Sequence, residues 1–315
     1  MRIIFMGTPD FAVESLRVLV EAGSEVVAVL TAPDKPAGRG KKLQQSPVKL
    51  YAVENNIPVL QPPKFKNPDF LKELSSFKAD LQVVVAFRML PEVVWNMPKL
   101  GTFNLHGSLL PQYRGAAPIN WAVMNGDKET GVTTFFIEKD IDTGKIIFKE
   151  SLNILPEDSA GSLHDKLMVL GAELVLKTVK SIAANDYPQM EQEEIDILKP
   201  APKIFKEDCE IDWSKSTLEV YNFIRGLSPY PGAWSTFHNT ENGQKGALKV
   251  YHTEMLETSS DSTTPGEINT DNKSLFAVQT SDGIIGIKSL QIPGKKRLNI
   301  EDFLRGNDAT HIKLS

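Results

Sequence analysis

The sequence of 315 residues holds a single cysteine, Cys209, so it can form no internal disulfide, and a zinc site built on several thiolates is excluded. Such a chain suits a reducing compartment. Long hydrophobic runs are also missing. The apolar run in MRIIF is about four residues, far below the need of a secretion signal or membrane span, so a cytoplasmic location and no membrane association are expected. Excess positive charge is absent too: at a formal net charge of -5, any polyanion must be held by local patches. The turn MGTPDFA lacks the three glycines of a dinucleotide fingerprint and the lysine of a P-loop. The histidines show no paired ligand spacing, so no metal is expected.

What is present describes a folded protein. The hydrophobic fraction of 41% and charged fraction of 24% are ordinary for globular chains, and the length exceeds one usual core. RIIF and EVVAVLT are β-branched apolar runs of the buried parallel kind, flanking a helical stretch in which Ala12, Leu16, Leu19 and Val20 share a face. The alternation continues through PVKLYAVENN as helix, PVL as strand, PDFLKELSSF as helix, and LQVVVAF, GTFNLH and TGVTTFFIEK as strands. This predicts an α/β domain with an open, mostly parallel, Rossmann-like sheet and helices on both faces. A long helix with Leu163, Leu167, Leu170 and Leu174 on one side closes it. After Asn185 the charged, proline-rich DYPQMEQEEIDILKPAPKIFKED reads as a linker. A helix and five short strands follow, predicting a smaller C-terminal β-barrel of the oligonucleotide-binding (OB-like) type. The expected division is 1–188, a linker over 189–207, and 208–315.

Asn104 and His106 sit two apart at the end of a strand, so both project from one face, at the sheet edge where α/β proteins bind ligands. An amide beside an imidazole suits polarising a carbonyl and moving a proton, although a capped strand end with a structural histidine uses the same residues. In DIDTGKI, Asp142 before Gly144 fits either a turn or a carboxylate that orients the imidazole. An aspartic protease would need two such carboxylates, and one copy exists. Ser108 lacks the second glycine of a nucleophile elbow. TAPDKPAGRGKKLQQSPVK sets Lys35, Arg39, Lys41, Lys42 and Lys49 against Asp34, as a solvated loop or a polyanion contact.

Taken in order, GTPDFA, PDKPAGRGKKLQQSPVK, NLHGSLLPQYRGAAPINWA, DIDTG, IDWS and PGKKR resemble the 10-formyltetrahydrofolate-dependent formyltransferases along essentially the whole chain. The basic loop and C-terminal barrel are similar to the branch whose acceptor is methionyl initiator tRNA. The resemblance implies transfer of a formyl group from 10-formyltetrahydrofolate to the α-amino group of methionine on that tRNA. It implies that Asn104, His106 and Asp142 carry the chemistry and that Ser108, Leu109, Leu110 and Pro111 line the folate site. It further implies that Arg39, Lys41, Lys42, Lys295, Lys296 and Arg297 contact tRNA, with Lys199, Lys203 and Lys206 as a third basic group. Arg88 stands where glycine is common in the family, so folate contacts around Phe87 to Leu90 are not carried over. Arg114 is expected to reach the tRNA or to form a surface salt bridge. A monomer without protein partners is expected. A glycinamide ribonucleotide enzyme would carry a glycine-rich loop after the first strand, and simple hydrolysis would leave the basic loop without a purpose.

Overall fold

The computed structural model describes residues 1–37, 42–241, 243–256 and 264–314. Its chain divides into two units: Met1–Gly115, Glu129–Asn153 and His164–Ala201 form the first, and Ala116–Lys128, Ile154–Leu163 and Pro202–Ser315 the second. Residues 189–201 of the expected linker therefore cluster with the first unit. Residues 116–128 and 154–163 cluster with the second, where Trp121 donates to Pro202 O and Asn120 to Gly226 O.

In chain order the first half carries β1 (Arg2–Gly7), α1 (Asp10–Glu21), β2 (Glu25–Leu30), β3 (Lys35–Ala37), β4 (Lys42–Gln44), α2 (Pro47–Glu54) and β5 (Val59–Leu60). It continues with α3 (Pro68–Ser76), β6 (Leu81–Val85), α4 (Glu92–Trp95), β7 (Thr102–His106), α5 (Pro118–Met124), β8 (Glu129–Phe136), β9 (Ile146–Asn153) and α6 (Ala160–Ala183). The first unit's main sheet has the order β5-β2-β1-β6-β7-β8-β9. It is parallel through β7, and β8 and β9 add antiparallel. The order reverses beside β1, which places the topological switch next to the carboxyl ends of β1, β6 and β7.

The β1 residues Ile3, Ile4, Phe5 and Met6 are all buried, as a central parallel strand covered on both faces requires. Ile4 and Met6 pack with Phe70 and Leu74 of α3 and Val94 of α4. Ile3 and Phe5 point the other way, toward the face of α1, where Ala12, Leu16 and Leu19 are buried. Ser46 and Asn67 cap α2 and α3 with side-chain acceptors, each followed by a helix-starting proline.

The second unit adds α7 (Thr217–Leu227), β10 (Ala233–Asn239), β11 (Lys245–Leu256), β12 (Ile268–Thr270), β13 (Phe276–Gln279), β14 (Ile284–Gln291), β15 (Leu298–Asn299), α8 (Ile300–Leu304) and β16 (Ile312–Leu314). The strands form a nearly closed antiparallel barrel in the order β12-β13-β14-β11-β10-β16, with β15 on β14. The five expected strands are all there, and β15 and β16 join them. Both additions are two or three residues long, too short for a periodic signal. Val220, Ile224 and Leu227 of α7 bury against Phe237, Leu248, Val250, Ile285 and Leu290. Among the described residues, no helix is long and apolar enough to cross a membrane.

Ser216 and Glu219 form a capping box on α7: Ser216 Oγ accepts from Glu219 N–H, and the Glu219 carboxylate accepts the Ser216 N–H and O–H. Those two donated bonds hold the Glu219 carboxyl below its ordinary 4.5. A carboxyl so depressed stabilises the fold above the ordinary value and loses that contribution as pH falls through the folded one. Ser216→Ala is expected to lower Tm by roughly 2 to 4 °C at pH 7, the shift one missing N-cap brings to a domain of this size. In calorimetric scans the gap to wild type should narrow below about pH 4; a gap that stays constant in acid would separate the cap from the Glu219 charge.

Candidate active site

β7 lies between β6 and β8, and its alternation sends Thr102, Asn104 and His106 to one face. Thr102 pins that face with its one hydroxyl hydrogen between two acceptors, Trp95 O at 2.6 Å and Gln82 Oε1 at 2.9 Å. Asn104 and His106 thus arrive together at the carboxyl end of the strand, as the period of two predicts. No hydrogen bond among the described residues engages the Asn104 carboxamide, so both its donors are available to a ligand.

His106 is only 6% exposed, and its ring is held on one side by Nε2 at 2.8 Å from Tyr113 O. A carbonyl can only accept, so Nε2 carries the hydrogen and donates it. Nδ1 is thereby turned toward Asp142, whose Oδ2 lies 3.8 Å away. That distance permits attraction between charges and exceeds a hydrogen bond. Oδ2 instead accepts from Gly115 N–H at 2.9 Å. Asp142 itself sits in a left-handed backbone conformation, φ 55°, which a non-glycine residue adopts only where its surroundings hold it. The ring orientation expected of Asp142 is therefore shared with Tyr113 O, a backbone group that residue-type reasoning passes over.

The loop after His106 is built from long-range bonds to residues 192–201. Gln112 accepts from Lys199 N–H at 2.7 Å and donates to Ile197 O, Tyr113 N–H donates to Lys199 O, and Ala201 N–H donates to Arg114 O. Gly115, at φ 127°, runs so close that a Cβ would stand 2.4 Å from Ala201 O. Among the described residues Arg114 forms no ion pair. Its Nε and Nη2 both donate to Gln192 Oε1, at 3.1 and 2.7 Å. The Gln192 amide in turn donates to Asp142 O at 2.8 Å and Gly144 O at 3.0 Å. One weak signal points to Gln192 in the chain: it is an amide inside the acidic run Glu191 to Glu194, where a carboxylate would be solvated as well.

Ser108, Leu110 and Pro111 are buried, and Leu109 is partly exposed. Ser108 Oγ donates to Gln112 O at 2.6 Å, and Leu110 N–H donates to Thr133 Oγ1. The Ser108 hydroxyl is thus engaged within the first unit, and the Leu110 side chain packs with Phe135 and Ile146. In the loop after β6, the Arg88 guanidinium stacks 3.9 Å over the Phe65 ring and donates to Pro62 O; burial lowers its pKa.

Arg39 and Lys41 lie outside the described residues, and Lys42 is described only through its backbone in the β3–β4 hairpin, paired with Ala37. The base of that hairpin is fixed by Lys49, whose Nζ is 2.6 Å from Asp34 Oδ2, and by Gln61, which donates to Asp34 Oδ1. Gln61 and then Lys49 hold the Asp34 carboxyl below its ordinary range, so Lys49 is a structural cation here. In the second unit Lys295 and Lys296 are exposed. Arg297 lies 4.4 Å over the Tyr251 ring and donates to Ser289 Oγ.

Residues 1–179 match the formyl transferase family, and residues 203–308 match the C-terminal domain of formyl transferases. The chain is 56% identical over 309 residues to a protein of Bacteroides fragilis named methionyl-tRNA formyltransferase, covering 97% of this chain and 95% of that one. A protein of the same name from Parabacteroides distasonis is 57% identical over 311 residues, covering 97% and 95%. Among solved structures, HypX from Aquifex aeolicus in complex with tetrahydrofolic acid superposes with a TM-score of 0.63 at 20% identity, over 96% of this chain and 47% of its own. At that identity the likeness speaks for the fold.

Proposed function

The chain belongs to the formyl transferase family, and from that premise we infer that it moves the formyl group of 10-formyltetrahydrofolate onto the α-amino group of methionyl initiator tRNA. The observation that carries the chemistry is one arrangement at the end of β7: an unengaged carboxamide on Asn104, beside an imidazole whose Nδ1 is turned toward the Asp142 carboxylate. In this reading the neutral amine attacks the formyl carbon, negative charge gathers on the formyl oxygen, and the bond to N10 of the folate breaks. Asn104 donates to that oxygen as its charge grows. The attacking nitrogen must lose a proton and N10 must gain one, and His106 with Asp142 forms the acid-base pair beside that path.

The folate reading of Ser108 to Pro111 takes a specific form here. Leu109 supplies the accessible apolar contact, while Ser108, Leu110 and Pro111 fix the course of the backbone around it. For tRNA, Arg39, Lys41 and Lys42 serve as one phosphate-binding group, and Lys295, Lys296 and Arg297 as another. Arg297, already stacked on Tyr251, is the preorganised member. Contacts of this kind give affinity that falls with salt and little discrimination between sequences. We assign catalysis to 1–188 and RNA contact mainly to 208–315, and place the protein in the cytoplasm, where the charged tRNA is found.

A single-turnover assay with 10-formyltetrahydrofolate and separate samples of methionyl initiator tRNA, glycinamide ribonucleotide and a UDP-amino sugar tests the acceptor. Product with the charged tRNA alone is expected. Product with either small amine and none with the tRNA would overturn the acceptor while leaving the formyl-transfer site in place. For the RNA surface, Lys295→Ala with Lys296→Ala is expected to weaken tRNA binding. The slope of log affinity against log salt should flatten by about 1 for each phosphate that the variant no longer neutralises. An unchanged slope would remove this patch from the interface.

A further inference from the structure

We propose that Gln192 is a positioning residue for formyl transfer, holding the Asp142 turn and the Arg114 loop in register from the segment that follows α6. The inference rests on the acid-base roles given above to His106 and Asp142. Three observations carry it. The amide nitrogen of Gln192 donates to both Asp142 O and Gly144 O, at 2.8 and 3.0 Å, gripping the two ends of the turn that bears the carboxylate. Its carbonyl oxygen accepts two bonds from the Arg114 guanidinium, at 3.1 and 2.7 Å. Arg114 lies between Tyr113, whose carbonyl orients His106, and Gly115, whose N–H fixes Asp142 Oδ2.

One side chain thus ties together the two loops that aim the two members of the pair. It does so where help is needed: Asp142 is left-handed, and its carboxylate, held by the Gly115 N–H, stands 3.8 Å from Nδ1 with no hydrogen bond between the two. An unheld turn would drift toward the ordinary right-handed region and swing the carboxylate away from the imidazole. The grip is itself anchored, because Met190 exchanges both backbone hydrogen bonds with Ile146 of β9, two residues before Gln192. Misplacement of catalytic groups by about 1 Å can cost roughly 100-fold in rate.

The test is single-turnover formylation of methionyl initiator tRNA by wild type, Gln192→Met, Gln192→Glu, Asp142→Asn and the Gln192→Met/Asp142→Asn double variant. Gln192→Met keeps the length and removes every hydrogen bond; Gln192→Glu keeps the acceptor for Arg114 and removes the donors. Both are expected to lower kcat by about 10- to 100-fold with KM for both substrates nearly unchanged. In the Asp142→Asn background the Gln192 change should cost clearly less than it does in wild type, because one of the two groups it positions is already lost. A purely structural role would instead lower Tm and multiply independently with Asp142→Asn, and that outcome overturns the proposal. So does a wild-type kcat in both single variants. Should Gln192→Met fail to fold, the missing donors of Gln192→Glu decide. A wild-type protein that formylates no charged tRNA would refute the acceptor reading instead, a distinct result.

Discussion

Asn104→Ala is expected to lower kcat for formyl transfer by roughly 100- to 1000-fold, the usual cost of one donor aimed at a developing oxyanion. KM should hardly move, because the interaction strengthens only as charge gathers on the formyl oxygen. The fold should survive as well: the carboxamide makes no hydrogen bond among the described residues, so its removal leaves no partner stranded. His106→Ala should cost about 100- to 10,000-fold, in the range of a missing acid-base catalyst. The double variant should fall well short of the product of the two effects, since the two groups act on one transition state. Rapid-quench kinetics on variants with wild-type circular dichroism would check each value. A His106→Ala enzyme that stays folded and turns over at the wild-type rate would end the proposal for this site.

The second large effect concerns Gly144. A Cβ built there meets Phe136 O at 1.8 Å, and the obstacle is backbone at the end of β8, where Phe136 N–H is bonded to Lys145 O. Neither side can yield without opening the ladder between β8 and β9. Gly144→Ala should therefore cost about 1 to 3 kcal/mol or more in stability, as other forced overpacking does, which is roughly 3 to 10 °C in Tm. Because Gly144 O and Asp142 O are gripped by the same amide, activity should fall about 100-fold as well. Gly306→Ala is the control: nothing lies within 4 Å of its Cβ, so Tm should hold within about 1 or 2 °C. Equal melting curves for the two variants would refute the steric argument.

Much of the fold is legible in the chain because its signals are local. Buried parallel strands leave continuous β-branched runs, so β1 and β6, and β2 whose second half is buried, can be read from RIIF, LQVVVAF and EVVAVLT. Asn104 and His106 announce themselves through a period of two at a strand end, and Asp142 through a turn. Groups defined by distant partners stay hidden. Tyr113 works through its carbonyl, so its residue type carries no message. Gln192 finds Asp142 50 positions away and Arg114 78 positions away, inside a stretch whose lack of periodicity reads as a linker. Lys49 reads as one more free cation of its loop, yet Asp34 and the fold of the hairpin base claim it.

The order of the main sheet also bears on how the protein behaves when crowded. A sheet margin with unsatisfied N–H and C=O groups invites another chain to add a strand, and long bare margins seed aggregates. One margin here is β5, two residues long and too brief to template much. The other is β9, whose first residue is already paired with Met190 and whose later residues include the charged Lys149 and Glu150, with Lys177 bonded to Glu150. Neither margin offers an intruding strand a long apolar seat, so concentrated folded protein has little reason to grow by sheet extension at either end.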